Sequence, residues 1–308
     1  MQTLFNIINK PLGWVLENIS AVLGGNFAAA VFLFTLLINI AFIPLTIKSQ
    51  KSSVQQMRIK PKLDELKKRY GDDKQKYSQA MQQLYQQENV SMSGGCLPMI
   101  LRLVIMMSIY YLIMSPITYL MDVDASVLET ATKSLEATGV KIMQGRSELQ
   151  IIGAVLSGKI VSPEILEACK NIDFNFIGIN LTETPKFSFN IFRDAKLIWL
   201  MPIFAFASQI LSSMLSMKMQ KKINPDAPNM AGMMLTMPLI SLFIGFSLPG
   251  GVTFYWACSS LIGGVIQVLV QNFYGPHKLL SRERTKELVK QCDFETAQME
   301  KIKSKEKN

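Results

Sequence analysis

The chain has 308 residues, of which 49% are hydrophobic and only 18% charged, with a formal net charge of +9 and a mean hydropathy of +0.23. A composition this apolar excludes an ordinary soluble domain with a charged surface. The positive balance raises nucleic acid as a partner, but most basic residues flank apolar runs, where anionic lipid headgroups are the nearer negative charge; the tail from Lys278 to Lys307 keeps ribosomal RNA open as a second contact.

Residues 1–26 lack a basic start, a continuous apolar core and a small-residue cleavage site, and Lys10, Pro11, Glu17 and Asn18 interrupt them, so no cleavable signal peptide is expected. Leu4, Phe5, Ile8, Leu12, Val15, Leu16 and Ile19 recur at helical spacing. That stripe fits a helix lying in the membrane interface and equally an ordinary packed helix. Apolar segments of about the 20 residues a bilayer core demands then follow at 27–47, 96–120, 196–217, 231–248 and 249–273. The expected fold is an all-α integral membrane protein with five transmembrane helices.

Between the first two spans, 48–95 reads as a helical hairpin. Pro61 starts a helix carrying Leu63, Leu66 and Tyr70, Gly71-Asp72-Asp73 makes the turn, and the return arm carries Tyr77, Met81 and Leu84. Each arm has a narrow apolar stripe among Lys, Gln and Glu, so the pair projects as a thin hairpin; a docking element and a solvated connector are both open. The segment 121–195 shows amphipathic stretches near 126–137 and 162–171, then Phe174, Phe176, Ile177 and Ile179 before Pro185. It reads as a small folded cap without a catalytic signature.

If loops alternate sides, one side receives 48–96, 218–230 and the tail 274–308, which carry ten, three and nine Lys/Arg. The other receives residues 121–195, with seven Lys/Arg against ten Asp/Glu, and the sparsely charged amino terminus. The positive-inside rule places the amino terminus outside and the carboxyl terminus in the cytoplasm. Cys96 and Cys292 then share the cytoplasmic side, Cys169 lies outside and Cys258 within a span, so no structural disulfide is expected.

Arg102 is the most informative residue, because a guanidinium inside a span costs about 3 kcal/mol on insertion scales. It lies roughly 10 Å from the Gly94-Gly95 break, and Asn39 roughly 13 Å from Lys48, with Thr35 one turn deeper. Snorkelling of Arg102 to the headgroups is one reading; a wet groove shared with Asn39 is the other. In the fifth span Trp256, Ser260, Gly263, Gly264, Gln267 and Gln271 follow three- and four-residue steps, and the third carries Ser208, Gln209, Ser212, Ser213 and Ser216. The fourth adds little beyond Thr236 and Ser241. Such serines and glycines serve either close helix packing or a groove.

Catalysis has little support. The sole histidine, His277, follows the last span beside Gly275 and Pro276, no His/Cys/carboxylate spacing suggests a metal, and Ser259 and Ser260 have no base within the spans. Met230, Met233, Met234 and Met237 read as adaptable packing.

Several ordered blocks carry a family resemblance: Phe42-Ile43-Pro44-Leu45-Thr46 closing the first span, Lys60-Pro61-Lys62-Leu63 in the hairpin, Gly94-Gly95-Cys96-Leu97-Pro98 opening the second span, and Leu248-Pro249-Gly250-Gly251-Val252-Thr253-Phe254-Tyr255-Trp256 with Gln267 near the end. Together they resemble the YidC/Oxa-type membrane insertase family over most of the chain apart from 121 to about 170. The resemblance implies a bacterial plasma-membrane protein that is not an enzyme, with five spans around a hydrophilic groove open to cytoplasm and lipid and closed outside. No nucleotide, metal or other cofactor is implied. Implied partners are nascent membrane protein clients, membrane lipids and, through hairpin and tail, the ribosome, signal recognition particle or Sec translocon. The groove-lining positions map onto Thr35, Asn39, Arg102, Gln209, Trp256, Tyr255, Ser260 and Gln267. The sequence departs from the family where an arginine usually stands five residues before Pro-Leu-Thr: here it is Asn39, while Arg102 replaces a usual glutamine. The charge has moved from the first helix to the second. Rival readings are a transporter or channel, disfavoured by the lack of an inverted repeat or an intramembrane Asp or Glu, and a pure assembly chaperone.

Overall fold

The computed structural model describes residues 2–88, 90, 97–121, 123–140, 142, 147–185, 187–188, 196–223, 231–275 and scattered positions between 278 and 299; the side chains of 2–6, 53, 57, 97–99, 102, 220, 222–223, 231 and 233–235 are outside that description. The protein is mostly helical and divides into two compact units, Met1–Ala41 with Ile100–Ile266, and Phe42–Met99 with Gln267–Asn308.

In the first unit, α1 (Gln2–Val22) and α2 (Phe27–Ala41) meet at a tight turn. Gly25 allows it: its φ is +81°, and a Cβ there would lie 2.2 Å from the Asn171 carbonyl oxygen. The Gly25 carbonyl accepts from the Asp173 N–H at 2.8 Å, and the Asp173 carbonyl accepts from the Phe27 N–H at 3.1 Å. Asn26 caps α2 by accepting the Ala29 N–H through Oδ1 at 2.9 Å. The apolar stripe of α1 faces the bundle: Leu16 is buried and Leu12, Val15 and Ile19 pack beside it, whereas Ile7, Trp14 and Val22 are exposed. Leu12, Val15, Leu16 and Ile19 thus pack on the bundle core, and a different set of side chains faces outward.

The second apolar segment is broken. Helix α5 (Leu97–Met114) stops before α6 (Pro116–Leu120), because Pro116 has no N–H to continue the ladder and disfavours helical backbone at Ser115, whose ψ is 59°. The start of α6 is closed by Glu148, whose carboxylate accepts the Thr118 N–H at 3.0 Å and the Thr118 hydroxyl at 2.6 Å. The Ile117 N–H and the Ser115 hydroxyl also reach it.

Glu148 belongs to the cap, formed by α7 (Ala125–Ala137), α8 (Ser147–Leu156), α9 (Pro163–Lys170) and a hairpin of β1 (Asn175–Phe176) with β2 (Ile179–Asn180). The strands are antiparallel, Asn175 opposite Asn180 and Phe176 opposite Ile179. Ala131, Leu135, Ile151, Ile152, Ile165 and Leu181 are buried and join the bundle core. Burial also pushes the Cys169 thiol up to about 11, so it stays protonated.

A short 3-10 turn, Leu197–Trp199, opens α10 (Leu200–Ile223), which packs on α11 (Ala231–Gly245). The Trp199 and Phe246 rings meet edge-on at 5.3 Å where those helices adjoin. Helix α12 (Gly250–Tyr274) follows. Among the described residues, Leu197–Met219 and Gly250–Tyr274 are each long and apolar enough to cross a membrane; Phe27–Ala41 and Ile43–Gln56 reach that length only as a broken pair, and Leu103–Met114 and Thr236–Gly245 are shorter.

In the second unit, α3 (Ile43–Tyr70) and α4 (Lys74–Gln87) form a hairpin. Pro61 does not start a helix as expected but lies inside α3. Helical hydrogen bonding on both sides carries the chain past its missing donor. Asp73 caps α4, accepting the Gln75 and Lys76 N–H groups at 3.2 and 3.0 Å. Those bonds, the one to the Lys76 backbone foremost, hold its carboxyl below the usual range.

Candidate functional site

The capped end of the first unit is filled by apolar side chains: Phe27, Leu112, Ile113, Leu181, Val252 and Phe254 are all buried. The Pro-Gly-Gly start of α12 explains how the helix reaches so far into it. The first N–H groups of a helix have no partner within it. Here the Gly250 N–H donates to the Glu183 carbonyl at 2.8 Å and the Gly251 N–H to the Leu181 carbonyl at 2.7 Å. A Cβ at 250 would stand 2.8 Å from Ile198 Cδ1, and one at 251 would stand 3.1 Å from Ile113 Cγ2. The bare backbone lets helix and cap approach this closely without displacing the Ile198 and Ile113 side chains.

Burial along α12 is nearly continuous at that end and alternates further along, where Ile262, Gly264 and Val270 are still buried. Val252, Thr253, Phe254, Tyr255, Ala257 and Cys258 are buried, whereas Ser259, Ser260, Leu261 and Gly263 are half-buried. Trp256 is half-buried against the core, and Gln267 is half-buried further along the same helix.

In α2 the two expected polar groups are buried, Thr35 at 1% and Asn39 at 7% exposure. Each bonds one turn back: the Thr35 hydroxyl donates to the Val31 carbonyl at 2.6 Å, and the Asn39 amide donates through Nδ2 to the Thr35 carbonyl at 2.8 Å. This local bonding lowers the cost of holding hydroxyl and amide in an apolar helix. It also brings Thr35 and Asn39 together as one polar patch.

Gln209 has a partner the sequence did not single out. The Ser241 hydroxyl donates to its Oε1 at 2.7 Å, joining α10 to α11. An interhelical bond of this kind is a common adhesive where no water competes. Gly264 packs against α10, where a Cβ would lie 3.1 Å from Ser212 Oγ, so close packing accounts for this pair. The Ser208 hydroxyl turns back to the Phe204 carbonyl of its own helix.

Arg102 sits on α5 with its side chain outside the described residues, as are those of Met233 and Met234; Gly94, Gly95, Cys96, His277 and Met230 lie outside them entirely. Among the described residues no group of three His, Cys, Asp or Glu could hold a metal ion.

The family model described as 60Kd inner membrane protein matches residues 18–277. The chain belongs to that family. It is the YidC/Oxa-type family to which the ordered motifs pointed, and the match runs through both halves of the bundle and the cap. Relatives named membrane protein insertase YidC include those of Alkalilimnicola ehrlichii, 38% identical over 111 residues, and Stutzerimonas stutzeri, 36% identical over 110 residues; each alignment covers 36% of this chain and 20% of the relative. That of Pseudomonas syringae pv. tomato is 38% identical over 110 residues, covering 36% of this chain and 19% of the relative. The alignable segment thus spans about a fifth of the length of these family members.

Proposed function

We propose that the chain is a membrane protein insertase, without covalent catalysis, whose five apolar segments span the bilayer around a hydrophilic groove open to the cytoplasm. Family membership supports this, as does the name of the relatives. One observation carries it: Thr35, in the middle of the apolar helix α2, and Asn39, near its end, are both buried, beyond a capped end packed with aliphatic and aromatic side chains. Polar groups are expensive at such depth and mark a pathway by default.

In this reading Arg102, Asn39, Thr35, Gln209, Tyr255, Trp256 and Ser260 line the groove, and Gln267 continues the stripe of α12. The cation attracts the acidic or polar tail of a client, and the amides replace the water that tail gives up. The client's apolar helix then passes into lipid, gaining roughly 25 cal/mol per Å² of apolar surface, which removes any need for nucleotide. The cap closes the outer end. The excess of Lys and Arg on the hairpin and tail supports a cytoplasmic position for both, with the amino terminus outside. There they contact the ribosome, signal recognition particle or Sec translocon.

The test uses the purified chain in vesicles with a single-span client bearing an acidic external tail. Arg102→Ala lowers insertion of that client by roughly tenfold, the equivalent of about 1.4 kcal/mol, and has less effect on a neutral-tailed version. Exchange of the pair, Asn39→Arg with Arg102→Gln, restores activity relative to Arg102→Gln alone. Equal insertion by Arg102→Ala would overturn the groove role, and client-independent ion flux would favour a channel.

A further inference from the structure

The two-residue turn of the cap hairpin is Ile177-Gly178, and both residues have positive φ, 50° and 76°. Turns of this kind favour Asn-Gly, because a β-branched side chain crowds the backbone in the left-handed region. Among the described residues Ile177 is the one non-glycine residue held there. The residue is also 79% exposed, so little of the strain is offset by packing against the protein. A single exposed apolar residue needs no explanation; an exposed one kept in a strained conformation does.

The position of the hairpin supplies one. Its stem is fixed to the starts of three apolar helices. The Asp173 carbonyl just before β1 receives the first N–H of α2, from Phe27. The Phe176 ring packs 4.8 Å from that of Phe254 in the first turns of α12. A Cβ on Gly178 would lie 3.8 Å from Leu197 Cδ2, at the beginning of the Leu197–Met219 span. Leu197 and Leu200 are exposed on that span, and the preceding Lys196 is exposed as well. The hairpin tip therefore sits where apolar helix surface gives way to a cation, the level at which acyl chains meet headgroups.

We infer that the β1–β2 hairpin is an interfacial anchor, with Ile177 inserted among the outermost acyl-chain segments of the leaflet at the capped end. Transfer of the isoleucine side chain into lipid offsets the backbone strain and holds the cap at a fixed depth beside the starts of α2, α10 and α12. Lys196 meets the lipid phosphates at the same level. The inference rests on the membrane character of the family alone; it holds or fails independently of insertase activity.

Depth can be measured on the full chain in phosphatidylethanolamine/phosphatidylglycerol vesicles. Cys96 and Cys292 are replaced by serine, Ile177→Cys is labelled with a polarity-sensitive fluorophore, and Lys159→Cys, at an exposed position of the cap, serves as the aqueous control. At 177, a lipid with a shallow spin label quenches several-fold more than iodide does; at 159 the order reverses. Iodide quenching at 177 equal to that at 159, without quenching from lipid, overturns the anchor. Ile177→Asn gives a second readout that does not depend on a label. Asparagine suits the turn, so it raises the apparent melting temperature in vesicles if the tip is in water and lowers it if the tip is in lipid. A rise would also overturn the inference.

Discussion

The cap and the helical hairpin are both insertions between apolar helices, yet they are held together in opposite ways. The cap has its own share of buried core, with Ile151, Ile152 and Ile165 sealed from solvent, and is sewn to the bundle through backbone hydrogen bonds at residues 25, 173, 181 and 183. Among its described residues the hairpin buries Val54, Ile59 and Leu84, and toward the surface Glu88 accepts from Arg58 at 3.1 Å and from Lys62. The lesson is one of specification. A segment whose backbone is a partner of the bundle cannot be altered locally, whereas a segment held by exposed charge can.

The sharpest way to break the first half of that contrast is Gly25→Val. The new side chain would meet the Asn171 carbonyl within 2.2 Å and force a β-branched residue to a φ of +81°. The expected loss is on the order of 4 kcal/mol. Thermal unfolding in detergent should fall accordingly, and protease should reach the cap before the hairpin. An unchanged melting curve would mean the stitch between turn and cap is not formed in solution.

Next in size is Glu148. Replacement by leucine leaves the Thr118 N–H and hydroxyl without their acceptor, at a cost of about 2–3 kcal/mol. Glu148→Gln keeps the size and one acceptor oxygen and loses less. Burial raises the carboxyl above its usual 4.5, and hydrogen bonds from Thr118 oppose that rise only in part. A raised acid binds its proton more tightly folded than unfolded, so its contribution is full below 4.5 and is lost as pH rises through the folded value. Cap stability should decline over that window in the native chain and stay flat in Glu148→Gln; parallel pH profiles would show that the buried carboxyl does not titrate.

Much of this was legible in sequence, for physical reasons that also mark where reading stops. Apolar runs of bilayer length announce helices, and the order of Pro-Leu-Thr, Gly-Gly-Cys and Pro-Gly-Gly blocks carried the family. The inward face of α1 was not legible, because a 3.6-residue stripe looks the same whether lipid or protein covers it. Helix α8 and the β-hairpin were missed: ten residues of α8 sit in a segment whose only local signal is apolar, and two-residue strands give no alternation to count. At the site, the one-turn spacing of Thr35 and Asn39 followed from helical periodicity alone, but the Ser241 partner of Gln209 lies 32 residues away, and no helical period links positions on different helices. Glu148 was one acid among ten in a loop; what could have flagged it is Ser115-Pro116, a helix break whose orphan N–H groups need an acceptor from elsewhere.

The hairpin supplies the smaller effects. Leu84 is the buried residue of α4, and Leu84→Ala should cost about 2 kcal/mol, the low end for such a truncation, because two exposed arms can close around the gap. Amide exchange in α4 should quicken while the cap transition stays in place. If both move together, the two insertions unfold as one unit and the contrast between them is wrong.

Smallest is Glu88→Gln. Lys62 first, and Arg58 with it, hold the Glu88 carboxyl below its usual range, so the charge contribution exists at neutral pH and is lost as pH falls through the folded value. Ions so exposed are screened by salt, and the side-chain entropy of two long cations opposes their order. The variant should therefore quicken exchange at the end of α4 slightly at low ionic strength and match the native chain near 1 M salt. A deficit that persists in high salt would require Glu88 to do something geometric, such as fixing the splay of the two arms, and would move the hairpin toward the cap in kind.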